Sequence, residues 1–202
     1  MYTRNLAFYL YYFTIRNLYY SMNIIGSLLN FYVFFYIFLL LYVYGGKKMG
    51  LEIEKKFLIK YLPENLSEYE CHTLIQGYLN TSPVVRVRKE DNLYYLTYKG
   101  SGLLSREEYN LPLNEEAFLH LLSKADGNVI SKCRYKIPYA YEDKIFTIEL
   151  DVFDAPFEPL IIAEVEFDSE DDANSFITPE WFDKDVTFDP AYHNSNLSKK
   201  QF

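Results

Sequence analysis

Seven segments of this chain carry charged residues spaced two apart, and that spacing limits the fold more than any other feature. In LEIEKKF, Glu52, Glu54 and Lys56 alternate with Leu51, Ile53 and Phe57. Arg86 and Arg88 alternate with Val85 and Val87, and Thr97 and Lys99 with Leu96 and Tyr98. Arg106, Glu108 and Asn110 oppose Tyr109 and Leu111, and Lys132 and Arg134 form a further pair. Glu149 and Asp151 oppose Ile148, Leu150 and Val152, and Glu164 and Glu166 oppose Ala163, Val165 and Phe167. Side chains two apart share one face of a strand. One strand of this kind is an ordinary sheet with a wet side. Seven of them, with Arg and Glu recurring in pairs, describe a closed sheet with charges inside and apolar residues outside, under packed helices.

The strands expected are Leu51–Ile59, Gln76–Asn80, Val84–Lys89, Leu93–Lys99, Ser105–Leu111, Val129–Tyr139, Lys144–Phe153 and Leu160–Phe167. Turn residues separate them at Ser82-Pro83, Glu90-Asp91-Asn92, Gly100-Ser101-Gly102 and Glu142-Asp143. A helix is expected over Glu115–Lys124, capped by Asn114, and another over Glu170–Ile177, capped by Ser169 and stopped by Pro179. The fold class is therefore mainly β with packed helices.

Grouped charges inside a sheet need partners, because desolvated charge is costly. Clustered acids repel one another unless a cation sits among them. Clustered Arg and Lys fit the oxygens of a polyanion. A Mg²⁺ or Mn²⁺ ion with a polyphosphate satisfies both sets at once.

The chain has 202 residues and a net charge of −8. Residues 1–48 hold four bases and no acid, which leaves 16 bases and 28 acids, a net −12, in residues 49–202. Such an acidic domain lacks the basic footprint of a nucleic-acid binder. His72, His120 and His193 show no zinc spacing. Cys71 and Cys133 fit no metal or redox motif and are expected as two buried thiols of a reducing compartment.

Residues 1–48 admit two readings. Ile24–Tyr44 is uncharged and long enough for a transmembrane anchor. Against that, Tyr and Phe run through its centre, and Arg4 and Arg16 before it balance Lys47 and Lys48 after it. The favoured reading is an AT-rich leader translated ahead of the true start at Met49, because Gly45-Gly46 is encodable as a ribosome-binding sequence. The functional domain is then 49–202, cytoplasmic; with an anchor it would be membrane-attached.

Glu52-x-Glu54-x-Lys56 resembles the ExExK motif of the CYTH superfamily, the triphosphate tunnel metalloenzymes. The rest follows in family order: Gln76-Gly77-Tyr78-Leu79, Arg86-x-Arg88, Thr97-x-Lys99, Arg106-x-Glu108-Tyr109, Lys132-x-Arg134-Tyr135, Glu149-x-Asp151-x-Phe153 and Glu164-x-Glu166-Phe167. The tail, Trp181-Phe182, Val186-Thr187 and Tyr192-x-Asn194, is similar to that of small bacterial members. Two positions depart from the pattern: His193 stands where a Lys is common, and Asn110 where an acid is common.

The resemblance implies a closed eight-stranded antiparallel β-barrel tunnel and a metal-dependent triphosphatase. The leading substrate is inorganic triphosphate. Nucleoside or thiamine triphosphate hydrolysis, class IV adenylyl cyclase chemistry and non-catalytic polyphosphate binding are the alternatives. It implies that Glu52, Glu54 and Glu166 bind a metal and that Asp151 and Glu164 help hold a second metal or its water. Arg86, Arg88, Lys99, Arg106, Lys132 and Arg134 would clamp phosphate, and Lys56 and Tyr78 would act near the scissile phosphorus. A homodimer is compatible with the chain.

Overall fold

The computed structural model describes residues 50–141 and 143–202. The anchor-or-leader question for residues 1–48 and the start at Met49 lie outside them. Among the described residues no helix is long and apolar enough to cross a membrane.

Among the described residues nine strands form: β1 (Leu51–Ile59), β2 (Cys71–Thr81), β3 (Val84–Glu90), β4 (Leu93–Lys99), β5 (Ser105–Leu113), β6 (Asp126–Tyr141), β7 (Lys144–Phe153), β8 (Ile161–Glu166) and β9 (Phe182–Asp185). Their order is β5-β4-β3-β2-β6-β7-β8-β1, and β1 pairs back to β5, which closes eight strands into a barrel. Every pairing is antiparallel. β1 makes the closure by dividing one edge. Leu51–Ile53 lie against β5, while Phe57 and Ile59 lie against β9. β9, the segment FDKD, was not expected, since it has no alternation of its own and exists because β1 offers it an unpaired edge.

The alternation sets the two faces. Ile53, Phe57, Ile137, Ile148, Leu150, Ala163 and Val165 point outward into a core shared with Phe167, Ala173 and Phe182. Phe176 joins it, with its ring centroid 5.2 Å from Phe167 and 5.3 Å from Phe146. Each large apolar side chain buried there contributes about 2 kcal/mol. A second apolar group lies on the inward-pointing registers: Tyr78, Val84, Ile130, Phe153 and Ile162, with Phe157 and Leu197. It fills one end of the barrel, so the lumen is a cup with an apolar floor.

Helix α1 (Glu115–Leu122) is capped as expected, with Asn114 Oδ1 accepting from Ala117 N at 2.8 Å. It stops two residues early, because Lys124 N and Ala125 N turn to the carbonyls of Leu121 and Leu122. Helix α2 (Glu170–Ser175) is capped by Ser169 and ends where Phe176 turns extended to enter the outer core. A short helix α3 (Asn194–Leu197), not expected, sits beneath the floor.

Gly77 shows why the β2 motif needs a glycine. On the outer face of β2, an added methyl would lie 2.7 Å from Leu122 Cδ1 and 2.8 Å from Ala125 Cβ. Gly77→Ala should overpack this contact and destabilise the fold by about 1–3 kcal/mol, read as a lower urea midpoint at unchanged slope.

The cysteines correct the expectation of two separate buried thiols. Cys71 is exposed, and it is linked to Cys133 on the neighbouring strand, with Cα atoms 5.6 Å apart. Cys71 faces Tyr135 and Cys133 faces Thr73, so the two are diagonal neighbours. A separation of 62 residues conceals this until the β2–β6 register is known.

Candidate active site

Strand register decides which charges meet. Glu54 lies opposite Glu166 and Lys56 opposite Glu164, while Glu52 lies opposite Arg106. One carboxylate oxygen from each of Glu52, Glu54 and Glu166 falls within 4.8 Å of the other two. All three residues line a cavity of about 250 Å³ in the barrel lumen. Three carboxylates brought this close offer hard oxygen ligands suited to a small divalent cation, whose bonds would draw the oxygens closer together.

Bases surround the trio. Lys99 Nζ lies 2.6 Å from Glu52 Oε1, and Arg106 Nε donates to Glu52 Oε2 at 2.8 Å. Lys56 Nζ lies 2.5 Å from Glu54 Oε1 and also donates to Glu164. Burial pulls the Lys56 ammonium down, but Glu164 and Glu54 outweigh it and hold its pKa above the ordinary lysine value. Lys56 therefore stays charged.

Arg134 joins three acids. It donates to Asp151 through Nε (2.6 Å) and Nη2 (2.7 Å), to Glu164 through Nη2 (2.6 Å), and to Glu149 through Nη1. Asp151 is fully buried and also accepts from Lys132, whose ammonium lies 5.1 Å from the centre of the Phe153 ring. Burial against the apolar floor pushes the Lys132 pKa down, despite Asp151. Asp151 and Glu164 are thus set among bases, and Lys56 links Glu164 to Glu54 of the trio.

The phosphate-clamp candidates Arg86 and Arg88 also face the cavity. Arg86 Nη1 donates to Gln76 Oε1 at 3.2 Å, and Arg88 lies 3.7 Å from Glu90 and 5.6 Å from the Tyr95 ring centre. Their Nε–H groups are buried without a partner. Burial, then Arg86, lowers the Arg88 pKa. Two guanidinium groups lining one cavity suit an anion with several acceptors. Tyr78 accepts at its hydroxyl from Gln76 at 3.3 Å, and burial pushes its pKa up. Lys56 and Tyr78 line the same cavity, though each is hydrogen-bonded to other groups.

A polar chain runs across the adjoining strands β4 and β5, where Thr97 lies opposite Arg86 in register. Thr97 donates to Asn110 Oδ1 (2.6 Å), Asn110 donates to Glu108 (2.8 Å), and Glu108 pairs with Lys99 (3.0 Å). Asn110 thereby braces Glu108 where an acid would have repelled it. Burial raises the Glu108 pKa, but Lys99 and then hydrogen bonding and Arg86 outweigh it and bring it down to about 2. Glu164 is likewise held well below the ordinary range by Lys56, Lys132 and Arg134 against burial. Both folded values lie below the unfolded carboxylate value of about 4.3, so the stability they contribute is complete above it and lost as pH falls towards 2. Glu149, pushed up chiefly by burial, acts in the opposite sense. The melting temperature should fall steadily from about pH 4.5 to pH 3, and Glu108→Gln should flatten that limb. An unchanged acid limb in the variant would contradict the assignment.

The cavity holds more than the candidates named from sequence. Gln76, Glu90 and Lys136 sit two positions from Tyr78, Arg88 and Arg134 on the same strand faces, so extending the alternation would have reached them. His193 and Asn194 also line the cavity, although the chain there is not a strand and carries no periodic signal.

A closed β-barrel lined by carboxylates and bases, with a metal-competent trio and two arginines in one cavity, suits a cation together with a polyphosphate. Residues 50–199 match the CYTH domain model, and the chain belongs to that family. It is 40% identical over 152 residues to an inorganic triphosphatase of Nitrosomonas europaea, covering 73% of this chain and 96% of that one. It is 38% identical over 162 residues to an inorganic triphosphatase of Acetivibrio thermocellus, covering 76% and 97%. A crystal structure of an inorganic triphosphatase superposes with a TM-score of 0.55 at 35% identity, covering 74% of this chain and 95% of that one.

Proposed function

We propose that this protein is a metal-dependent triphosphatase that converts inorganic triphosphate to pyrophosphate and phosphate. The observation that carries this reading is that the Glu52–Glu54–Glu166 trio and the arginines Arg86 and Arg88 line one cavity. Its two curated relatives bear that activity in their names and match along nearly their whole length.

Glu52, Glu54 and Glu166 would hold Mg²⁺ or Mn²⁺. Bound there, the cation supplies charge neutralisation for the phosphate chain and a fixed orientation. Arg86, Arg88, Lys99, Arg106, Lys132 and Arg134 bind phosphate oxygens from the surrounding strands. Lys56, kept protonated by its two glutamates, stabilises charge as the bond breaks. Water adds to the terminal phosphorus, the bridging P–O bond breaks, and pyrophosphate leaves. Phosphoryl transfer depends mostly on such positioning and charge neutralisation, which a preorganised lumen provides.

Phosphate release measured with inorganic triphosphate, ATP and thiamine triphosphate, each with Mg²⁺, Mn²⁺ or chelator, tests the reading. The expected result is metal-dependent turnover fastest on inorganic triphosphate. Binding without release would make the protein a polyphosphate-binding module, and faster release from an organic triphosphate would reassign the substrate.

A further inference from the structure

Two strands of the cavity wall leave the apolar floor in equal steps. Val84 on β3 and Ile130 on β6 belong to that floor. Two residues further along come Arg86 and Lys132, then Arg88 and Arg134, then Glu90 and Lys136, and all of these line the cavity. Each step of two residues advances about 7 Å along a strand. Side-chain exposure follows the same direction, rising on β6 from 1% at Lys132 through 8% at Arg134 to 41% at Lys136. Glu90 and Lys136 therefore stand at the mouth. The two inner steps present bases alone, and at the outer step β3 changes from base to acid.

At this outer step the charges cancel. Glu90 Oε1 accepts from Lys136 Nζ at 2.9 Å, and Glu90 Oε2 lies 3.7 Å from Arg88 Nη2. Burial alone would raise the Glu90 pKa, but Lys136 and then Arg88 outweigh it and hold it below the ordinary carboxylate value. Glu90 is therefore ionised at neutral pH. Glu149 lies opposite Lys136 in the β6–β7 register, yet its ion pair is with Arg134, so Glu90 is the acid that neutralises Lys136. Like charges a few ångströms apart repel, more strongly beside a protein wall than in bulk water. A carboxylate fixed at the mouth thus opposes any anionic group that comes to rest there.

We propose that Glu90 limits the length of phosphate chain that the site accepts, by cancelling the outermost base, Lys136, and setting a negative charge against the outer phosphoryl groups of a longer chain. This rests on the triphosphatase reading above. A chain held by the two inner steps leaves the Glu90–Lys136 pair intact. A longer chain brings its outer end beside the carboxylate, and it either bears the repulsion or breaks the pair. Glu90 is then a specificity residue: it meets the outer end of an over-long substrate and takes no part in breaking the bond.

The test is a ratio measured on the full chain from initial rates: kcat/KM for inorganic tetraphosphate over kcat/KM for inorganic triphosphate, with Mg²⁺ at one ionic strength. Both substrates meet the same inner bases, so the ratio reads the outer end. The parent ratio is expected below one. Glu90→Gln keeps the shape and removes the charge, and it should raise the ratio about tenfold. Lys136→Gln strips Glu90 of its nearest base, and it should lower the ratio about threefold. The opposite signs separate an electrostatic limit from a structural one, since loss of an ion pair that merely shaped the mouth would move both variants the same way. A parent ratio above one, a ratio unchanged in Glu90→Gln, or a shift of the same sign in both variants overturns the proposal. If Glu90→Gln does not fold, a ratio unchanged or raised in Lys136→Gln overturns it. A parent that releases no phosphate from triphosphate fails the functional reading, and the proposal with it. Normal triphosphate turnover beside a ratio that neither variant moves fails the proposal alone.

Discussion

Glu52→Gln should lower metal-dependent phosphate release about 1,000-fold, or about 4 kcal/mol of transition-state stabilisation. Two features of the site set this size. Glu52 supplies one of the three oxygens of the metal-competent trio. It also holds Lys99 and Arg106, one on each oxygen. Gln keeps the shape and one acceptor but removes the charge, so a divalent cation loses a hard anionic ligand, Arg106 loses the carboxylate it donates to, and Lys99 is left with Glu108. Folding should survive, because the Gln carbonyl can still accept from one base. Glu108→Gln is the contrast. Glu108 braces Lys99 at 3.0 Å from outside the trio, so its loss should cost tenfold or less. Phosphate release with Mg²⁺ and with Mn²⁺, beside Mn²⁺ affinity by calorimetry, checks both. Near-parental turnover in Glu52→Gln would remove the trio from the mechanism.

Arg134→Ala should destabilise the protein by about 3 kcal/mol, a fall of roughly 10 °C in melting temperature for a domain of this size. The argument is electrostatic. Arg134 donates to Asp151, Glu149 and Glu164, and Asp151 is fully buried. Removal leaves these acids, with Asp151 wholly out of solvent, to Lys132 and Lys56 as their remaining named bases. Burial already pulls Lys132 towards the neutral form, so it is a weak substitute. Breaking one side of a buried ion network costs far more than breaking a surface pair. Arg134→Lys should recover less than half of the loss, because one ammonium cannot span three carboxylates as the guanidinium does. Thermal melts at pH 7 measure both variants. A fall below 2 °C in Arg134→Ala would show that the network is not structurally coupled.

Much of the fold was legible before any coordinates. The two-residue spacing of Glu52, Glu54 and Lys56, and of the other six charged strands, identified a charged interior. The eight barrel strands were all anticipated, with ends displaced by a few residues; β2 begins at Cys71 rather than Gln76, because register against β6 extends it. The helix caps Asn114 and Ser169 were read from the same local chemistry that the structure shows. β9 and α3 were not visible, since FDKD and NSNL have no period and form only against surfaces that other elements supply.

The site divides in the same way. Sequence alone determined which residues point into the barrel, because the face of a strand residue follows from parity. It did not determine which of them meet, because contacts between strands depend on register, and register is a property of pairing. Tertiary structure brought Glu52, Glu54 and Glu166 within 4.8 Å of one another and set Asp151 and Glu164 among Lys132, Arg134 and Lys56. It also closed the lumen with Ile130, Phe153 and Leu197 and put Asn194 on its wall. Parity along one strand is a local fact of the chain, whereas distances across the lumen exist only once eight strands have closed.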